Sequence, residues 1–116
     1  MPSARRFALH QIAAVTLMLG LGAGAAHAQA TIKIASLQEL SGGGATAGTN
    51  FKNGMDLAIK EINAAGGILG KKIEVTHSDT QSNPGVAKSL AQKAVDDDAF
   101  VVFGPGFSGS MIVSMA

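Results

Sequence analysis

A glycine-rich turn near the end of the sequence is the first feature that could carry chemistry. The segment from Gly104 to Gly109 reads GPGFSG and has the GxGxxG spacing of a dinucleotide-binding turn. The acid that should bind the ribose, about 20 residues further on, would fall beyond Ala116, so the motif rests on spacing alone. Because nicotinamide cofactors are not expected outside the cytoplasm and the chain carries an export signal, described below, we expect no cofactor.

Other catalytic motifs are incomplete. Gly43 to Gly48 has the glycines of a phosphate-binding loop, but Thr49 follows where a lysine is needed. The GFSGS segment ends in Ser110 instead of the last glycine of a hydrolase GxSxG elbow. His77 has no partner base or ligand cluster in the sequence, and Asp79 is more typical of an acid that caps a loop. We therefore expect neither an enzyme nor a metal site.

An anion-binding feature remains. Ser108, Gly109 and Ser110 lie at the N-terminus of a predicted helix, where unpaired backbone N–H groups and hydroxyls can hold a carboxylate. The alternative is that Ser108 or Ser110 only caps the helix. The sequence leaves both interpretations open.

The first 28 residues have the layout of a secretory signal peptide. Arg5 and Arg6 form a positive region, an apolar run covers 12–25, and Ala26 and Ala28 supply the small residues that signal peptidase recognises. Glycines interrupt the run, and it is shorter than the roughly 20 residues that span a bilayer. We predict cleavage after Ala28 and a periplasmic product, by the general secretory or the twin-arginine route.

Composition narrows the partners further. The sequence contains no cysteine, which excludes disulfides, thiolate metal sites and a lipid anchor on cysteine. Residues 29–116 form the predicted domain of 88 residues, and seven lysines against eight acids give it a net charge of −1. Nucleic acid is therefore not an expected partner.

The remaining sequence alternates strand and helix patterns. Residues 31–37, 71–77 and 99–103 have strand patterns, and the last of these is apolar without alternation, as in a strand covered on both faces. An apolar stripe predicts a first helix over 51–65, capped by Asn50 and ended by Gly66 and Gly67. A second helix should begin at Asn83 and Pro84 and stop before Asp97, and a third should begin at Ser110. This β-α-β-α-β order predicts an α/β fold with a parallel, doubly wound sheet.

Taken together, the segments TIKIASLQELSGG, FKNGMDLAIKEINAAGGILGKKIEV, SDTQSNP and FVVFGPGFSGS make the chain resemble the periplasmic Leu/Ile/Val-binding protein family. The resemblance implies the start of the first lobe of a type I periplasmic binding protein. Members of the family close two lobes on a small ligand and deliver it to the membrane subunits of an ABC transporter.

The resemblance also implies ligand contacts. Ser108 matches the serine that binds the ligand carboxylate, and Gly106 matches the carbonyl that receives the ammonium, with Phe107 between them. Ala47 stands in the loop after the first strand, where several members present an aromatic residue, so side-chain preference is open.

The hinge, the second lobe and the remaining ligand contacts of the family would follow residue 116. We therefore expect a truncated solute-binding protein that binds a branched-chain amino acid or a similar small carboxylate. The alternatives are a non-functional remnant and an exported α/β enzyme.

Overall fold

The computed structural model describes residues 30–116, and the predicted signal peptide lies outside them. The elements, in chain order, are β1 (Ile32–Gln38), a 3₁₀ turn (Gly42–Gly44), α1 (Ala45–Ala64), β2 (Ile73–Asp79), α2 (Pro84–Asp96), β3 (Val101–Phe103) and α3 (Ser108–Ser114). Within residues 30–116, no helix is long and apolar enough to cross a membrane.

The three strands form one parallel sheet in the order β2-β1-β3. In register, Ser36 of β1 lies beside His77 of β2 and Phe103 of β3. His77 bonds to Asp56 of α1, so α1 covers the face of the sheet on which His77 and its register partner Ser36 lie. Leu37 follows Ser36 in β1 and lies on the other face, where it lines a cavity with Leu90 of α2. The two helices therefore cover opposite faces of the sheet. The predicted doubly wound α/β fold is therefore confirmed.

The core between the sheet and the helices is small. Its buried apolar side chains are Ala35, Leu37, Ile73, Ala87 and Ala94. Small residues on α2 allow this helix to lie close to the sheet, and Leu37 on the central strand is the largest of the fully buried side chains. The core therefore centres on β1, and the loop of residues 39–44 directly follows this strand.

The ends of the helices follow local chemistry. The Asn83 side chain accepts hydrogen bonds from the N–H groups of Gly85 and Val86, and Pro84 is the first residue of α2, as predicted. Gly66 and Gly67 have φ angles of 109° and 81°, which is the conformation predicted for the exit of α1.

The predicted start of the first helix is wrong. The helix begins at Ala45 instead of Phe51, so Asn50 lies inside it and caps nothing. The first turns carry no apolar stripe, and Gly48 is a weak helix former that is nevertheless required. A Cβ at Gly48 would lie 2.1 Å from the Glu39 carbonyl oxygen, so only glycine allows the helix to pack against the chain after β1.

Smaller differences concern the other elements. The second strand lies two residues later than predicted, and the third helix begins at Ser108 instead of Ser110. The third strand was expected to be covered on both faces, yet Phe103 is 47% exposed. Among the described residues β3 pairs only with β1, and α3 is a helix of seven residues, so nothing in 30–116 covers this strand fully.

Candidate functional site

The carboxyl ends of the three strands meet at one edge of the sheet, which is where parallel α/β proteins bind ligands. Three loops follow these ends: 39–44 after β1, 80–83 after β2 and 104–107 after β3. Since β1 lies between β2 and β3, the strand order reverses at β1. The predicted contacts Ala47 and Ser108 lie at the starts of the helices that follow β1 and β3, beside this reversal.

Asp79 joins the first two loops. Its carboxylate accepts hydrogen bonds from the N–H groups of Leu40 (2.9 Å), Ser41 (3.1 Å) and Gln81 (2.8 Å), and from the Ser41 hydroxyl (2.6 Å). The bond from the Ser41 hydroxyl, followed by that from the Gln81 N–H, lowers the pKa of Asp79 below the ordinary 3.8. Asp79 is therefore a loop-capping acid.

Ser82 adds a second link between the same loops. Its hydroxyl donates to the Ser41 carbonyl over 2.7 Å and accepts from the Gly44 N–H over 3.0 Å. Gln81 and Ser82 both have positive φ angles, 56° and 54°. The polar SDTQSNP segment thus fixes the turn that leads into α1, a role that its composition alone did not reveal.

Glu39 joins the first loop to the third. Its two carboxylate oxygens accept hydrogen bonds from the N–H groups of Gly106 (3.2 Å) and Phe107 (3.1 Å). The residue is buried, with 3% of its surface exposed. Sequence reasoning missed Glu39, because its partners are 67 and 68 residues away along the chain. A glycine at 104 lets this loop lie against β1, since a Cβ there would be 2.0 Å from the Leu37 carbonyl oxygen.

The structure brings the predicted contacts of the third loop together at this edge. Ser108 is the first residue of α3 and is exposed, as is Gly106. The Phe107 ring, 42% exposed, lies next to Gly44, where a Cβ would come within 2.8 Å of its Cζ atom. Ala47 is exposed in the first turn of α1, so it belongs to a helix and not to the predicted loop.

Neither serine caps α3. Phe107 occupies the capping position, and its side chain makes no capping hydrogen bond. The Ser110 hydroxyl is buried and has no hydrogen-bond partner among residues 30–116. The first helical hydrogen bond is donated by Met111 to the Phe107 carbonyl, so the amides of Ser108, Gly109 and Ser110 come before it. The exposed Ser108 hydroxyl is thus not used as a cap.

His77 belongs to a structural cluster with α1. Its Nε2 atom lies 2.7 Å from the Asp56 carboxylate, which also accepts from the Lys52 ammonium over 2.6 Å. The hydrogen bond from Lys52, followed by that from His77, lowers the pKa of Asp56. In residues 30–116, no group of three or more histidine and acidic side chains is arranged to hold a metal ion.

A family model for periplasmic binding proteins matches residues 31–115. The Leu/Ile/Val-binding protein BraC3 of Rhizobium johnstonii is 40% identical over 85 residues, which are 73% of this chain and 23% of that protein.

Two solved structures share the fold. The branched-chain amino acid transporter substrate binding protein LivJ from Streptococcus pneumoniae, in complex with isoleucine, has a TM-score of 0.71 and 42% identity. The match covers 73% of this chain and 25% of that one. A solute binding protein of an ABC transporter from Rhodopseudomonas palustris BisB5, in complex with 3,4-dihydroxybenzoic acid, has a TM-score of 0.66 and 32% identity, over 72% of this chain and 23% of that one. The chain thus spans about a quarter of the length of these relatives, and with residues 31–115 matching the family model, it belongs to the periplasmic binding protein family.

Proposed function

We propose that this chain is part of the solute-binding component of an ABC transporter, and that it contributes one wall of a site for a small carboxylate. A branched-chain amino acid is the first candidate ligand. The Ser108 hydroxyl donates to the ligand carboxylate, the Gly106 carbonyl receives the ammonium, and Phe107 and Ala47 flank the ligand.

One observation carries the proposal. The exposed Ser108 hydroxyl stands at the carboxyl edge of the sheet, beside the point where the strand order reverses, and it is not used to cap α3. A hydroxyl and the adjacent helical amides are suitable donors for an anion, and such crevices are where open α/β sheets bind ligands.

The ligand class is supported by two relatives of similar fold. Their bound molecules, isoleucine and 3,4-dihydroxybenzoic acid, differ in size and polarity but share a carboxyl group. Both molecules fit a site in which Ser108 recognises the carboxylate and a small residue, Ala47, flanks the rest of the ligand. The carboxylate is therefore the proposed common element of recognition.

The proposal extends to location and partners. A solute-binding component acts in the periplasm and presents its ligand to the membrane subunits of the transporter, without a cofactor and without catalysis. The two acids described at this edge, Asp79 and Glu39, both accept hydrogen bonds from backbone amides and so join the loops.

The test is a ligand series on a chimera in which residues 31–115 replace the matching segment of the S. pneumoniae protein. Isoleucine, 4-methylpentanoate, leucinamide and 3,4-dihydroxybenzoate are titrated by calorimetry. Leucinamide keeps the ammonium and lacks the carboxylate, whereas 4-methylpentanoate does the reverse. We expect the carboxylates to bind and leucinamide to bind at least about tenfold more weakly, as for a lost hydrogen bond to a charged group.

The alternatives give different outcomes. A remnant whose site has lost its function would leave the chimera folded but unable to bind any of the four compounds. An exported enzyme would convert a bound compound, which mass spectrometry of the recovered ligand would detect. Leucinamide binding as tightly as isoleucine would contradict a carboxylate site.

A further inference from the structure

Glu39 is a buried acid at the edge of the sheet that carries the proposed site. Only 3% of its surface is exposed, and the ion pairs formed within residues 30–116 do not include it. A buried carboxylate is costly unless hydrogen bonds satisfy it. Both of its oxygens are satisfied by the consecutive amides of Gly106 and Phe107.

Glycines surround Glu39 closely. A Cβ at Gly44 would lie 2.6 Å from the Glu39 Cβ atom, and one at Gly48 would lie 2.1 Å from its carbonyl oxygen. A Cβ at Gly106 would lie 2.9 Å from its Oε2 atom. These three glycines come from the 3₁₀ turn, from α1 and from the third loop, so Glu39 lies where all three segments meet.

The two bonds have a geometric consequence for the third loop. Ser108 directly follows Phe107, and its hydroxyl position depends on the path of the backbone through the two amides that Glu39 holds. Hydrogen bonds to an ionised acceptor are about twice as strong as neutral ones. Two of them, at 3.2 and 3.1 Å, therefore restrain the path of this loop.

We propose that Glu39 is a positioning residue for the ligand-binding loop: its carboxylate holds the amides of Gly106 and Phe107 and so sets the place of Ser108. This inference rests on the proposed function for the role of Ser108. By occupying the Gly106 and Phe107 amides itself, Glu39 also leaves the Ser108 hydroxyl as the donor for a ligand.

The test measures amide hydrogen exchange by NMR on the full chain, without any ligand. In Glu39→Gln the side chain keeps its shape but loses its charge and one acceptor oxygen. We expect exchange of the Gly106 and Phe107 amides to rise roughly ten- to hundredfold, as for lost bonds to a charged group. Exchange of the Ala35 and Leu37 amides in β1 should stay unchanged.

A matched control is Glu61→Gln, which removes the same charge from an exposed position on α1 and should leave the exchange of both loop amides unaltered. The second variant, Gly106→Ala, keeps the charge but places a methyl group 2.9 Å from the Glu39 Oε2 atom, and it should also raise exchange at Phe107. This variant decides the matter if Glu39→Gln does not fold.

Exchange that rises only in residues 104–110 supports the positioning role. Unchanged exchange at Gly106 and Phe107, or a rise spread evenly over the strands, would overturn it. Since no ligand is present, this result is independent of the ligand series on the chimera, and either proposal can fail while the other stands.

Discussion

Replacing Gly48 by alanine should strongly destabilise the fold, although alanine is the better helix former. The new Cβ would lie 2.1 Å from the Glu39 carbonyl oxygen, 2.6 Å from its carbonyl carbon and 2.9 Å from its nitrogen. All three are backbone atoms of the residue that follows β1, so no side chain can rotate to relieve the overlap. The helix or the loop must shift by about 1 Å in a closely packed region.

The magnitude follows from two opposing contributions. Overpacking of this kind costs about 3 kcal/mol at the upper end of its usual range. The helix propensity of alanine over glycine returns about 1 kcal/mol. We therefore expect Gly48→Ala to lower the free energy of unfolding by about 2 kcal/mol.

Gly54 in the same helix provides the matched control. It is exposed, and a Cβ there meets no other atom within 4 Å. Gly54→Ala should therefore raise the free energy of unfolding by about 1 kcal/mol. Urea denaturation followed by circular dichroism measures both variants. A Gly48→Ala protein as stable as the wild type would refute the proposed contact between α1 and the loop after β1.

Three further predictions concern the second loop, the cap of α2 and export. The free energy of unfolding should fall as the pH drops below about 3.8. Because the pKa of Asp79 is lowered in the folded chain, its carboxylate contributes fully above the ordinary pKa and loses this contribution as it becomes protonated. In urea titrations, Asp79→Asn should make the free energy of unfolding depend less on pH in this acidic range. Asn83→Ala should cost about 1 kcal/mol in the same assay, whereas Asn53→Ala, exposed inside α1, should cost nothing. N-terminal sequencing of the exported protein should read from Gln29, and a membrane-bound form retaining Arg5 would contradict cleavage.

Much of the fold could be predicted because local signals agreed with the global arrangement. The strand pattern of residues 31–37 and the Asn83 cap with Pro84 each depend on a few neighbouring residues, and the structure differs from them by one residue at most. The parallel sheet followed from the alternation of strands and helices together with the handedness of their connections.

The start of α1 could not be predicted for a physical reason. Periodic apolar residues mark only the part of a helix that packs on a core, and residues 45–50 carry no such stripe. Gly48 reduces helix propensity, yet the close approach to Glu39 requires it. In residues 45–50 the local sequence pattern therefore favours a loop, whereas the contact with the distant Glu39 favours a helix.

The candidate site was only partly visible in the sequence. The exposed position of Ser108 at the edge of the sheet agrees with the prediction, but its assignment as a ligand contact stays a prediction. Glu39 was not singled out, because a side chain that bonds to backbone amides of a distant loop has no sequence signature. Its burial became visible only with the loops assembled.

The central claim, that Ser108 binds the ligand carboxylate, is tested most directly by calorimetry of isoleucine binding to the chimera with Ser108→Ala. A hydrogen bond to a charged group contributes about 1.5–3 kcal/mol, so affinity should fall about ten- to hundredfold while the melting temperature changes little. Ser89→Ala, which removes an exposed hydroxyl from α2, should leave the affinity unchanged. Unchanged affinity in Ser108→Ala, with a lowered melting temperature, would contradict the account and make Ser108 a structural residue.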